Sequence, residues 1–301
     1  MKRITLAAML AILSGGAVYA AGVYGDVIFE QRSLYRNISV TESNAVRCLR
    51  FASRRFQDVR QSCINLQRPD ELVFDYTKMV LSGLMVMQEP ERVLVIGLGG
   101  GTIPRALEYL YPGVHVTTVE IDPAVVAVAE RYFDFREGPQ QDIEVADGRV
   151  WIKRALLRET RYDMIVLDAF NGDYIPEHLM TREFLTEARN LLTPDGVLVA
   201  NTFSVSRLYD SESVTYAAAF DWMLNVKRQN GNRIIIAGNG TAPSDRVLVE
   251  GAIRLEMEHD LGPLDLDTTE IMVMVQREPD WEVDARVLTD EYSPANLLNT
   301  D

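Results

Sequence analysis

A glycine-rich turn, Gly97-Leu98-Gly99-Gly100-Gly101, stands directly between a short apolar run and a helical pattern, and it constrains the fold more than any other feature. The run before it, Arg92 to Ile96, has the length and content of a strand buried on both faces. Helical spacing follows to Tyr111, then strand-like Val114 to Val119, then a helix opened by Pro123 and running to about Phe133. Asp142 to Ala146 reads as a strand, Val150 to Leu157 as a helix and Asp163 to Leu167 as a strand. Thr181 to Leu192 is helical, Pro194-Asp195-Gly196 is a turn, and Val197 to Asn201 is a further strand. Strands alternating with helices of this size predict a parallel sheet with both faces covered. The stretch from about Glu91 to Thr202 is therefore expected to be a doubly wound α/β domain.

The flanks have a different texture. Ile38-Ser39-Val40-Thr41 alternates with period two, and so do parts of Val46 to Phe51 and Val59 to Leu66, which predicts a small antiparallel β module. A helix is expected over Glu71 to Met87, and segments near Arg233 to Ala237 and Glu270 to Val275 are expected to complete the edge of the large sheet. The chain thus divides into an apolar leader over 1–25, a β domain over 26–70 and a Rossmann-like domain over 71–301.

The leader carries its own signal. Lys2 and Arg3 precede an uncharged stretch from Ile4 to Tyr24, with Val18-Tyr19-Ala20 placing small residues where a signal peptidase cuts. The stretch also has the length of an uncleaved membrane anchor. Either reading sends the remainder across the membrane, to an exported or inner-membrane-anchored position on the periplasmic side. The alternative is a buried N-terminal helix in a cytoplasmic protein. Cys48 and Cys63 lie in consecutive strand-like segments. They can meet as a disulfide, as an oxidising compartment allows, or remain two unpaired buried thiols, because the hairpin register is not fixed by the sequence.

Ligands of such sheets bind beyond the carboxyl ends of the strands. Four of those ends carry suitable residues. Gly97, Gly99 and Gly101 allow a tight turn and a close approach of backbone to ligand. Glu120 ends the next strand, 23 residues after Gly97, where a carboxylate can accept both ribose hydroxyls. Asp147 can accept from an adenine amino group while Gly148 leaves room for the ring; the plain alternative for Asp147 is a helix N-cap. Asp168 opens the loop Ala169-Phe170-Asn171-Gly172-Asp173-Tyr174-Ile175-Pro176 and is a candidate general base or cation holder.

Other chemistries fit less well. Gly101-Thr102-Ile103-Pro104 breaks the dinucleotide fingerprint, and no P-loop lysine follows the glycines. His115, His178 and His259 have no metal-ligand spacing, so no metal site is expected. The formal net charge of −14 disfavours nucleic acid and suits a small cationic substrate.

These motifs resemble the spermidine synthase (polyamine aminopropyltransferase) family. The resemblance runs over roughly Leu34 to Leu298. It is carried by Val93 to Gly101 with Arg105, Val119-Glu120-Ile121-Asp122-Pro123, Asp147-Gly148, Leu167-Asp168-Ala169-Phe170, and Ile175-Pro176 with Leu179 and Phe184. The tail Leu288-Thr289-Asp290-Glu291-Tyr292-Ser293-Pro294 resembles the membrane-linked bacterial branch. The resemblance implies a small N-terminal β domain and a methyltransferase-like Rossmann domain. It implies aminopropyl transfer from decarboxylated S-adenosylmethionine to a polyamine such as putrescine, with release of methylthioadenosine. In that scheme Glu120 holds ribose, Asp147 holds adenine, Asp168 deprotonates the attacking amine, and Gln61 and Tyr76 line the substrate pocket. A homodimer is implied as well.

Four positions depart from the family pattern. Gly100 replaces an aspartate that helps hold the aminopropyl end, Thr77 and Lys78 replace a histidine and a glutamate, and Asn171 replaces a second acid for which Asp173 can substitute. Two rival functions follow. One is a methyltransferase using intact S-adenosylmethionine, for which the missing aspartate would make room. The other is a non-catalytic nucleoside-binding relative.

Overall fold

The computed structural model describes residues 25–51, 60–170, 175–228 and 231–294. The leader over 4–24, Asn171 and Asp173 lie outside the described residues.

Strands β1 (Asp26–Arg32), β2 (Asn37–Ser43), β3 (Val46–Phe51) and β4 (Arg60–Asn65) form an antiparallel four-stranded sheet in sequential order. Its alternation is read directly into packing. Ile38, Val40, Leu49, Phe51 and Ile64 point to one face and bury against Ala124, Val125, Val128 and Phe133 of the large domain. Cys48 stands opposite Cys63 in the β3–β4 pairing, and the two are disulfide-bonded. The register that the sequence left open is thereby settled.

The chain continues through α1 (Asp75–Val80), β5 (Arg92–Ile96), α2 (Thr102–Leu110), β6 (His115–Glu120), α3 (Pro123–Tyr132), β7 (Gln141–Val145) and α4 (Gly148–Leu157). Next come β8 (Tyr162–Leu167), α5 (Arg182–Arg189), β9 (Leu192–Phe203), α6 (Tyr209–Ala219), β10 (Trp222–Lys227) and β11 (Asn232–Gly238). The last elements are α7 (Asp245–Glu258), α8 (Thr268–Met274) and β12 (Val275–Gln276). The eight strands from β5 onward form one sheet in the order β12-β10-β11-β9-β8-β5-β6-β7. Strands β5 to β9 are parallel, and β10, β11 and β12 are added antiparallel. The parallel strands are buried on both faces, as their unbroken apolar runs require. Leu94 and Ile96 pack with α4 and α5 residues, while Val93 and Val95 face the α2 and α7 side.

Three expectations change. The helix expected over Glu71 to Met87 is only α1 followed by a 3-10 turn, Leu81–Met85. Gly83 explains the tightening: a β carbon there would lie 2.5 Å from Val199 Cγ2, so this backbone presses onto the sheet. The strand expected over Glu270 to Val275 is instead α8, with only Val275 and Gln276 extended. Asp267 caps that helix by accepting from the Glu270 N–H, and a cap three residues ahead of a glutamate outweighs apolar alternation in so short a run. The strand β10 was not foreseen.

The chain order reverses at β5, which has β6 on one side and β8 on the other. Open α/β sheets bind ligands beyond the carboxyl ends of their strands at such a switch point.

Candidate active site

A cleft with about 700 Å³ of free space, open to solvent, lies at that switch point. Gly97, Gly99, Glu120, Asp147, Gly148 and Asp168 line it from the strand ends, and Gln61 and Tyr76 line it from β4 and α1. Eight of the expected residues are therefore brought to one place. Gly101 is not among its lining. It occupies the N-cap of α2 with φ of 75°, and a β carbon there would meet the Phe135 ring at 2.5 Å. Its glycine serves the turn and helix packing.

Gly97 shows why the first turn must be glycine. Its φ is 101°, its N–H bonds the Val119 carbonyl at 2.8 Å, and a β carbon would lie 2.4 Å from the Asp168 carbonyl. The ends of β5 and β8 can approach this closely only without a side chain between them.

Glu120 is buried and rigidly held. One oxygen accepts from the Leu98 N–H at 3.1 Å and the other from the Asp122 N–H at 3.0 Å. Burial pushes its carboxyl above the usual range, against which the two backbone N–H groups pull down. Glu120 lines the cleft, and each oxygen can accept a second hydrogen bond beyond its backbone one, which suits a pair of vicinal hydroxyls. Asp122 is the cap of α3, accepting from the Ala124 N–H at 3.0 Å.

Asp147 does two jobs at once. One oxygen caps α4 through the Val150 N–H at 2.9 Å, and the other meets His178 Nε2 at 2.8 Å. Both Asp147 oxygens thus have a protein partner, the cap on one and His178 on the other, while the residue still lines the cleft. His178 belongs to a 3-10 turn, Glu177–Leu179, that forms the facing wall together with Pro176.

Asp168 sits at the end of β8, partly open to the cleft. Tyr76 donates its hydroxyl to one oxygen at 3.3 Å, and Asn201 Nδ2 donates to the other at 2.8 Å. Asn232 Nδ2 in turn donates to Asn201 Oδ1 at 2.8 Å, which commits the Asn201 amide to presenting N–H to Asp168. Burial pushes the Asp168 carboxyl up to about 7, with Asn201 and Tyr76 pulling down and Glu120 adding to the rise. The Tyr76 hydroxyl is pushed well above its usual range, chiefly by burial and then by Asp168, so it stays a neutral donor. A carboxylate ionising near neutrality is matched to accepting a proton at physiological pH.

The sequence reading missed Arg36, Phe51, His178 and Asn201. Arg36 donates to the Phe170 carbonyl at 3.0 Å and stacks over the Phe51 ring at 4.3 Å, closing the cleft from the β domain. Asn201 could have been found by the same strand-end rule, since it ends the core of the fifth parallel strand.

Gly100 has a packing answer. A β carbon at this position would stand 2.7 Å from Ser62 Oγ and 3.0 Å from the Phe133 ring. Ser62 is itself hydrogen-bonded to Thr102 Oγ1 at 3.0 Å. The volume is filled, so the glycine does not leave vacant room at its β carbon for a larger cofactor. Among the described residues, no cluster of three or more His, Cys, Asp or Glu side chains is arranged to hold a metal ion.

A switch-point cleft with a glycine turn and three strand-end carboxylates marks an α/β protein of the S-adenosylmethionine-methyltransferase fold. Residues 73–219 match the family described as the spermine/spermidine synthase domain. The chain is 47% identical over 276 residues to a polyamine aminopropyltransferase of Vibrio vulnificus, covering 90% of this chain and 91% of that one. A polyamine aminopropyltransferase of Neisseria meningitidis is 33% identical over 180 residues, 59% of this chain and 66% of its own. Among solved structures, spermidine synthase from Thermotoga maritima superposes with a TM-score of 0.65 at 18% identity, over 84% of this chain and 85% of that one. Human methyltransferase-like protein 13, in complex with SAH, gives 0.57 at 24% identity, over 62% and 92%. The chain belongs to the spermine/spermidine synthase family; its relatives include polyamine aminopropyltransferases and, at lower coverage, an eEF1A lysine and N-terminal methyltransferase of Bos taurus, 31% identical over 145 residues, 43% of this chain and 21% of that one.

Proposed function

We propose that the protein transfers an aminopropyl group from decarboxylated S-adenosylmethionine to a polyamine such as putrescine. The observation that carries this reading is Asp168, a carboxylate pushed up to about 7 and held by Tyr76 and Asn201 in the lining of the switch-point cleft. Family membership at 47% identity supplies the reaction class.

Glu120 receives the ribose hydroxyls and Asp147 the adenine amino group, which fixes the sulfonium end of the donor toward Asp168. The acceptor arrives as an ammonium. Asp168 takes one proton from it, the freed nitrogen forms a bond to the aminopropyl carbon beside sulfur, and the carbon–sulfur bond breaks. The bonding pair leaves with sulfur as neutral methylthioadenosine, and the positive charge passes from sulfur to the attacking nitrogen, now a secondary ammonium. Tyr76 and Asn201 keep the Asp168 oxygens oriented without protonating them. Three carboxylates facing the cleft favour a doubly charged diamine, and Gln61 and Tyr76 line its path.

Intact and decarboxylated S-adenosylmethionine distinguish this from methyl transfer. Isothermal titration should show tighter binding of the decarboxylated form, and a preference for the intact cofactor would move methyl transfer ahead.

The same proposal includes an exported or membrane-anchored position in the membrane-linked branch. The Cys48–Cys63 disulfide, the basic-then-apolar leader and the tail motif support it. Among the described residues no helix is long and apolar enough to cross a membrane, so the leader would be the anchor. An alkaline phosphatase fusion at Asp301 tests this; activity supports export, and an inactive fusion beside an active cytoplasmic reporter overturns it. An exported enzyme needs its donor on the same side, so the result also says where the reaction can run. A homodimer belongs to the same reading and is checked by sedimentation.

A further inference from the structure

The tail turn over 288–293 takes no part in the proposed chemistry, yet it is tied to the cleft wall at several points. Leu288 is fully buried among Met180 and Leu208; its N–H donates to Thr215 Oγ1 at 2.8 Å and its carbonyl accepts from the Arg182 N–H at 2.9 Å. Thr289 and Tyr292 close the turn with two backbone bonds of 2.9 Å each. Asp290 then reaches inward. Its carboxylate receives both Arg149 terminal nitrogens, at 2.6 and 2.7 Å, and the Thr181 hydroxyl at 2.7 Å. Ser293 Oγ donates to the Glu177 carbonyl at 3.1 Å.

These partners belong to the two halves of one wall. Arg149 follows Gly148 in the first turn of α4 and so sits two residues from Asp147. Its guanidinium also grips Glu187 of α5 at 3.0 and 3.1 Å. Thr181 is the cap of α5, and Glu177 opens the 3-10 turn that carries His178 and Leu179. A 3-10 turn of three residues has little cohesion of its own and takes its position from what it is tied to. The tail therefore bridges, from outside, the segment bearing Asp147 and the segment bearing His178. Asp290 is 44% exposed, so its ion pair contributes little to global stability. A bidentate carboxylate–guanidinium pair does fix orientation, however, and orientation is what the Asp147–His178 contact of 2.8 Å depends on.

We propose that Asp290 is a positioning residue for the nucleobase subsite, setting the spacing of Asp147 and His178 and thereby the selectivity for a 6-amino purine. This rests on the reading that Asp147 faces the nucleobase. The test compares the full chain with Asp290→Ala by isothermal titration of methylthioadenosine, methylthioinosine and putrescine, with Tm as the fold control. The 6-oxo analogue replaces the amino donor with an acceptor and reports base reading alone. Expected is a roughly tenfold weaker methylthioadenosine affinity, a collapsed preference over methylthioinosine, and unchanged putrescine affinity. A folded variant with unchanged preference overturns the proposal, as does an equal loss of nucleoside and putrescine. Should Asp290→Ala fail to fold, Asp290→Asn carries the same comparison. A wild-type chain that binds neither nucleoside defeats the functional reading itself; normal wild-type binding with no change in the variant defeats only this inference.

Discussion

Replacing Asp168 by asparagine should abolish turnover and at the same time make the protein more stable above neutral pH. The carboxyl ionises near 7 in the folded chain against 3.8 for a free aspartate. Between those values the folded state binds a proton that the unfolded chain has released. Stability is therefore lost as pH rises from about 4 to about 7, and the full penalty persists above 7. At 1.36 kcal/mol for each pH unit of separation, the ceiling is about 4 kcal/mol. Asp168 is partly open to cleft water, which screens the charge, and an increase of about 1–3 kcal/mol is the expected measurement. Asparagine can still accept from Asn201 and meet Tyr76, so the geometry is retained. Urea unfolding of wild type and Asp168→Asn at pH 5 and pH 8 measures the difference. The variant's advantage should be larger at pH 8. A variant equal to or less stable than wild type at pH 8, or an advantage that does not grow with pH, would refute the assignment of a base whose carboxyl is raised in the folded chain.

Removing the Asn201 donor by Asn201→Leu should raise the Asp168 value further, moving the acid limb of the kcat/KM profile to higher pH; a limb that stays in place contradicts the hydrogen-bond role. Glu120→Gln leaves one of two backbone N–H groups without its acceptor, and methylthioadenosine affinity should fall roughly 10- to 100-fold by titration calorimetry. Gly100→Asp should lower Tm because its β carbon has no space beside Ser62 and Phe133, and Ser62→Gly should recover part of the loss in the double variant. Opening the disulfide, which spans 15 residues, should cost about 3 kcal/mol in denaturant unfolding with and without reductant.

The parallel core and the cleft were legible because both rest on local rules. Strand ends, a glycine turn and helix caps are written in consecutive residues, so Gly97, Glu120, Asp147 and Asp168 could be placed without knowing which strands pair. What was missed depends on distant pairing. Asn201 matters only because β9 lies beside β8 and because Asn232 on β11 fixes its amide. His178 was weighed as a metal ligand, whereas its partner is Asp147, 31 residues away in sequence. Gly100 looked like eroded substrate recognition, but its cause lies in Ser62 of the other sheet. The segment over 270–275 was misread because its alternating methionines and aliphatics outweighed the cap at Asp267.

Incubating the purified full chain with decarboxylated S-adenosylmethionine and putrescine, and following products by mass spectrometry, tests the central claim most directly. The account predicts spermidine and methylthioadenosine in equal amounts, and neither from Asp168→Asn. Wild-type protein that binds methylthioadenosine but forms no spermidine would contradict it.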